Sequence, residues 1–178
     1  MNDKIIVGDL VFTKYIDQQS IQDRVKELTS SLNSYYEGKQ PVVIGVLNGC
    51  IYFMMDLLKE TTFDYSIEFI RAKSYIGMNS SKLSVDLFSN DNIKGKHVLI
   101  IEDIIDSGKT ISKIYNKIKD LSPVDIQVAT LLHKVDVNQS SIKISWSGFD
   151  IDDKFVIGYG LDYNSLFRNL KDIYKKND

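Results

Sequence analysis

Three short runs dominate what this chain can become: PVVIGVL (41–47), HVLIIE (97–102) and VDIQVATLL (124–132). A strand with one face in water alternates apolar and polar residues, whereas a strand covered on both faces has no need to. The first two runs therefore predict strands buried on both sides and the third another strand, the arrangement found where helices cover a mostly parallel sheet. The segments between them supply the helices. Ser20 to Tyr36 puts Ile21, Val25, Leu28 and Leu32 on one face, with Ser20 as the expected cap and Asp23 in the first turn. IYFMMDLLKE (51–60) and KTISKIYNKIKDL (109–121) read as two more helices. SIEFIRAKSY (66–75) has strand character, and IKISW (142–146) and KFVIGYG (154–160) are shorter strand candidates. The expectation is an α/β fold with a mostly parallel central sheet flanked by helices.

In such sheets ligands bind outside the carboxyl ends of the strands. Polar clusters fall at three of those ends: NGC after Leu47, EDIIDSGKT after Ile101 and HK after Leu132. Their coincidence points to one site.

The chain has 178 residues, 43% apolar and 26% charged, which fits one domain (1–178) with its own core. A net charge of -2 argues against a nucleic-acid binder, whose affinity rests on a basic surface. Cys50 is the one cysteine, and neither a leader nor a long apolar span is evident, so the expected compartment is the cytoplasm, with no membrane contact. SYIGMNSSKLSVDLFSNDNIKG (74–95) is rich in Ser, Asn and Gly and reads as a lid whose middle, KLSVDLF, forms a β-ribbon.

VLIIEDIIDSGKTI (98–111) carries the most chemistry. Its SGKT suggests a P-loop, but that pattern requires a glycine where this chain has Asp103, a carboxylate where polyphosphate would lie. A monophosphate fits better. A tight turn of Asp106, Ser107 and Gly108 leads into a helix starting near Lys109. The first amides of that helix and the hydroxyls of Ser107 and Thr110 can cradle the anion, with Gly108 allowing close backbone approach. Glu102 and Asp103 can hold ribose hydroxyls, directly or through Mg²⁺, and Asp106 can accept or return a proton.

This stretch resembles the phosphoribosyl-diphosphate motif of type I phosphoribosyltransferases. IEFIRAKSY, LLHK and GFDIDDKFVIGYGLDYNSLFRNL are similar to segments of the hypoxanthine-guanine members, and the similarity runs from about residue 5 to about residue 170. The resemblance implies the type I phosphoribosyltransferase fold, with a flexible lid and a small hood region. It implies transfer of ribose 5-phosphate from phosphoribosyl diphosphate to N9 of hypoxanthine or guanine, with Mg²⁺ required, in a homo-dimer or homo-tetramer. On matching positions, Glu102 and Asp103 would bind the ribose diol and the metal, and Asp106 would handle the proton at purine N7. Residues 106–110, Lys109 included, would hold the 5′-phosphate. Lys134 would donate to purine O6, Phe155 would stack on the base and the Val156 backbone would read the 2-position. Asp162 would face a second metal and the purine edge, Arg168 the diphosphate, and Ser74 and Tyr75 would belong to the lid. His133 carries no implied role and reads as structural.

Two departures stand out. Relatives usually have Leu-Lys-Gly where this chain has Leu47, Asn48 and Gly49, the loop expected to contact diphosphate. RNLKDIYKKND (168–178) replaces the family's usual C-terminal sequence and its following strand. Two other readings stay open: a xanthine-preferring relative, and a non-catalytic regulator that senses phosphoribosyl diphosphate. Asp106, Lys134 and Asp162 weigh against the second, as does the acidic charge.

Overall fold

A computed structural model describes residues 3–73, 84–87 and 93–177. The elements run β1 (Lys4–Val7), β2 (Leu10–Ile16), α1 (Gln18–Tyr36), β3 (Val42–Leu47), α2 (Ile51–Lys59), β4 (Ser66–Lys73) and β5 (Ser84–Leu87). They continue with β6 (His97–Ile105), α3 (Lys109–Lys119), β7 (Asp125–Lys134), β8 (Trp146–Ile151), β9 (Val156–Ile157) and β10 (Ile173–Lys176). The main sheet has the order β5-β4-β3-β6-β7-β8, parallel throughout except for β5 at the edge.

The apolar runs are explained by their two destinations. Val43, Leu99, Ile101, Ala129 and Leu131 pack under α1 and α2 through Ile21, Val25, Leu28, Phe53 and Leu57. Their neighbours in the chain, Val42, Ile44, Val98, Ile100 and Val128, pack under α3 through Ile111, Ile114 and Ile118. Successive side chains point to opposite faces, so a sheet covered on both sides needs apolar residues at every position.

Several local expectations are corrected. The helix expected at Ser20 starts at Gln18, because the Asp17 carboxylate accepts from the Ser20 amide at 2.9 Å and serves as the cap. β6 does not end at Glu102 but runs to Ile105, carrying both carboxylates on the strand itself. IKISW is not a strand: Ile142 and Ile144 pack against the α3-side core, and pairing with β7 begins only at Trp146. Within the expected ribbon, Ser84–Leu87 pairs antiparallel with β4, and most of the expected lid lies outside the described residues.

A second sheet, order β1-β2-β10-β9, stands over the carboxyl end of the main one as a hood with Phe12, Ile157 and Tyr174 at its core. The C-terminal departure therefore does not cost the fold its strand. Ile173 and Tyr174 are buried, and β10 takes an inner place between β2 and β9. Asp172, only 4% exposed, ties the hood to α1 by accepting from the Gln18 amide at 2.7 Å, with Lys14 3.3 Å away.

Candidate active site

The carboxyl ends of β3, β6 and β7 converge as expected. Glu102 is half-buried, yet its Oε2 is fully covered and has no hydrogen-bond partner among the described residues. Burial pushes its carboxyl well above the usual carboxylate range, and the neighbouring Asp103 adds to the effect. Asp103 is raised to about 6 by burial; the amides of Ile104 and of Asp103 itself and the Arg168 charge hold it down, while Asp162 adds to the rise. Two adjacent carboxylates that resist ionising together can be relieved by a cation or by hydroxyl donors.

Glycines let two loops close on this pair. A side chain at Gly49 would overlap the Asp103 carboxylate, and one at Gly160 would overlap the Gly49 carbonyl. The Leu47–Asn48 peptide is cis, Asn48 is exposed and Gly49 is buried. Tyr159 anchors the second of these loops to α2 by donating to Asp56 at 2.6 Å. Cys50, at the start of α2, is fully buried, and burial together with Glu102 and Asp103 pushes its thiol up, so it is inert packing.

The turn after β6 has the shape expected for anion binding. Gly108 has φ 75°, no side chain caps α3 and no acidic residue sits in its first turn. The first amides of α3 are thus left to a ligand. Glu102, Asp106, Ser107, Gly108, Lys109 and Thr110 line a cavity of about 240 Å³ here.

A second cavity, about 220 Å³, shares Ile104 and Asp106 with the first and is also lined by Asp103, Lys134, Phe155, Val156 and Asp162. Lys134 is only 6% exposed, so it is no surface lysine. Its ammonium donates to Asp106 at 2.9 Å and to Asp153 at 2.8 Å. Burial works against that charge, but Asp153 and Asp106 outweigh it and raise the ammonium above its ordinary value. Phe155 is 48% exposed at the cavity wall, and Tyr163 stands edge-on 5.9 Å behind it. The Lys176 amide donates to the Phe155 carbonyl at 2.8 Å. By antiparallel alternation the N–H and C=O of Val156 then point away from β10, off the edge of the hood sheet.

Asp162 and Arg168 form an ion pair; Asp162 also accepts from the Ser165 amide, and Arg168 donates to the Gly160 carbonyl. Among the described residues no three acidic, His or Cys side chains form a metal cluster. Ser74 and Tyr75 lie outside the described residues. A larger cavity, about 630 Å³, lies at the opposite end of the strands, lined by Lys39, Gln40, Lys96 and His97 among others, far from these groups. Sequence reasoning missed Asp153; the doubled aspartate of IDDKF, just before Phe155, was the available signal.

An α/β sheet with an uncapped helix start, a carboxylate pair and a buried lysine at its carboxyl end defines a protein with an anion-accepting turn beside paired acidic and basic groups. The phosphoribosyl transferase domain matches residues 13–164, and this chain belongs to that family. The hypoxanthine-guanine-xanthine phosphoribosyltransferase of Tritrichomonas foetus is 36% identical over 173 residues, covering 96% of this chain and 93% of that protein. The hypoxanthine-guanine phosphoribosyltransferase of Bacillus subtilis is 38% identical, covering 87% of each. The crystal structure of a hypoxanthine phosphoribosyltransferase from Staphylococcus aureus superposes with a TM-score of 0.85 at 36% identity, covering 92% of this chain and 90% of that one.

Proposed function

We propose that this protein is a purine-salvage enzyme that transfers ribose 5-phosphate from phosphoribosyl diphosphate to hypoxanthine or guanine, giving IMP or GMP and diphosphate. The observation that carries this reading is Lys134 at the wall of one cavity, bonded to Asp106, where that cavity joins the phosphate turn. A buried ammonium selects a base with an acceptor at its 6-position and leaves adenine's amino group unpaired.

The turn from Asp106 through Thr110 holds the 5′-phosphate, and Glu102 and Asp103 hold the ribose diol. N9 of the base bonds to C1′ as the bond from C1′ to diphosphate breaks, and the proton on N7 passes to Asp106. Lys134 remains tethered by Asp153 when Asp106 turns to N7. Phe155 packs on the base face, the Val156 backbone reads its 2-position, and the amides of Asn48 and Gly49 and the Arg168 guanidinium receive diphosphate.

The donor set fits Mg²⁺. Glu102 and Asp103 offer hard oxygens, one of them buried without a partner, and Asp162 lies close by; substrate oxygens and water complete the shell. When bound, the ion supplies positive charge to the departing diphosphate. We assign the enzyme to the cytoplasm, without nucleic-acid or membrane partners, and no described helix is long and apolar enough to cross a membrane. We also propose a homo-dimer or homo-tetramer; Ile51, Tyr52 and Met55, 41–44% exposed on α2, offer an apolar contact face.

The test is formation of IMP and diphosphate by purified protein given phosphoribosyl diphosphate, hypoxanthine and Mg²⁺. Turnover that stops on chelation is expected; no nucleotide from either hypoxanthine or guanine would refute the proposal. A xanthine arm separates the xanthine-preferring alternative.

A further inference from the structure

His133 has no part in the reaction described, yet its surroundings are highly ordered. It points to the opposite face of β7 from Lys134, and in the sheet register it pairs with Asp150 of β8. Its Nδ1 lies 3.3 Å from Asp150 Oδ1, and its Nε2 lies 3.0 Å from Asn138 Nδ2. Asn138 Oδ1 accepts from the Ser140 backbone amide at 2.9 Å. A backbone N–H can only donate, so this bond fixes which way the Asn138 amide faces. Its Nδ2 must then donate to His133 Nε2, and the imidazole proton must sit on Nδ1, toward the Asp150 carboxylate. The chain of bonds has one direction, from Ser140 through Asn138 to His133, whose Nδ1 faces the Asp150 carboxylate.

That chain ends against the phosphate turn. The Gln139 amide donates to the Ser107 carbonyl at 3.3 Å. A side chain at Gly108 would overlap Asn138 Oδ1 and come within 2.6 Å of Ser140 Cβ. The loop after β7 thus lies directly on the back of Gly108, with no space for adjustment between them.

We infer that His133 is a positioning residue for the phosphate turn: by accepting from Asn138 it holds the loop after β7 against Ser107 and Gly108. The inference rests on reading residues 106–110 as the 5′-phosphate site. His133 touches neither substrate, so its loss should be felt by the phosphorylated one and not by the base.

The experiment compares His133→Phe and Asn138→Ala with His133→Gln and Asn138→Asp. The first pair breaks the chain. The second keeps it, since Gln can still accept from Asn138, and Asp can still accept from both the Ser140 amide and a protonated His133. Loss of one such bond should raise the KM for phosphoribosyl diphosphate roughly fivefold to tenfold in the first pair. The hypoxanthine KM should hold within about twofold, and the second pair should recover. An unchanged phosphoribosyl diphosphate KM, or an equal rise in both KM values, would overturn the inference. If the wild type forms no nucleotide, the reading of the site fails instead, and hydrogen exchange of the Gln139 amide decides the inference alone. Faster exchange in His133→Phe and Asn138→Ala supports it, and unchanged exchange overturns it.

Discussion

Asp106 stands where the two cavities meet, and Lys134 holds it there. Asp106→Asn keeps the shape and the bond to Lys134 but removes the proton acceptor that the proposed reaction requires. Steady-state kinetics should show kcat down by about 10²–10⁴-fold, with phosphoribosyl diphosphate still bound. Unchanged turnover would remove Asp106 from proton transfer. At the loop after β3, contact with Asp103 makes Gly49 indispensable and leaves the exposed Asn48 replaceable. Asn48→Lys should change the KM for phosphoribosyl diphosphate by less than about tenfold. Gly49→Val should abolish measurable binding by displacing the Asp103 carboxylate. A large gain from the lysine together with a tolerated valine would make the family's lysine charge, and not the backbone, the diphosphate ligand.

Among the elements, α1 shows how a local bond adds a pH dependence. The Ser20 amide, and after it the Ser20 hydroxyl, lower the Asp17 carboxyl below the ordinary aspartate value. A carboxyl lowered in the folded state stabilises above its unfolded value and loses that contribution as acid protonates it. Calorimetry should therefore find that wild type loses more Tm than Asp17→Asn as pH falls below about 3.9, since an amide oxygen caps without titrating. Asp17→Ala should lower Tm by about 2–4 °C at neutral pH. An identical acid limb in wild type and Asp17→Asn would deny the carboxylate its cap role. The same scale shows why some elements were legible in the sequence and others were not. β3, β6 and β7 announce themselves because both faces are buried and every position can be apolar. β2 and β10 mix Lys14, Lys175 and Lys176 with apolar residues and find each other across most of the chain, as in the Thr13–Lys175 pairing, so no local pattern reveals them. The far end of β6 was hidden because Glu102 and Asp103 look like a loop, although the strand continues through them to Ile105.

At the scale of the molecule, two sheets meet at one cleft: the main sheet supplies the turn after β6 and Lys134, and the hood supplies Phe155 and Val156. The hood core is small, and Phe12 at its centre is wholly buried 6.3 Å from the Phe155 ring. Phe12→Ala should cost about 3–5 kcal/mol in denaturant unfolding and raise the KM for hypoxanthine more than that for phosphoribosyl diphosphate. An equal rise in both would mean that the hood does not specifically support the base site. Which residues gather at the cleft was legible as a coincidence of strand ends, but their individual roles came from the resemblance. Lys134 shows the gap: only the fold reveals that this strand-end lysine is buried between Asp106 and Asp153.

The central claim is that Lys134 reads the 6-position of a purine, and the most direct measurement is the ratio of kcat/KM for hypoxanthine to that for adenine, with phosphoribosyl diphosphate and Mg²⁺ saturating. An ammonium set against adenine's amino group, donor facing donor, predicts a ratio of roughly 10⁴ or more, collapsing in Lys134→Met. Adenine turning over as well as hypoxanthine in the wild type would contradict the account.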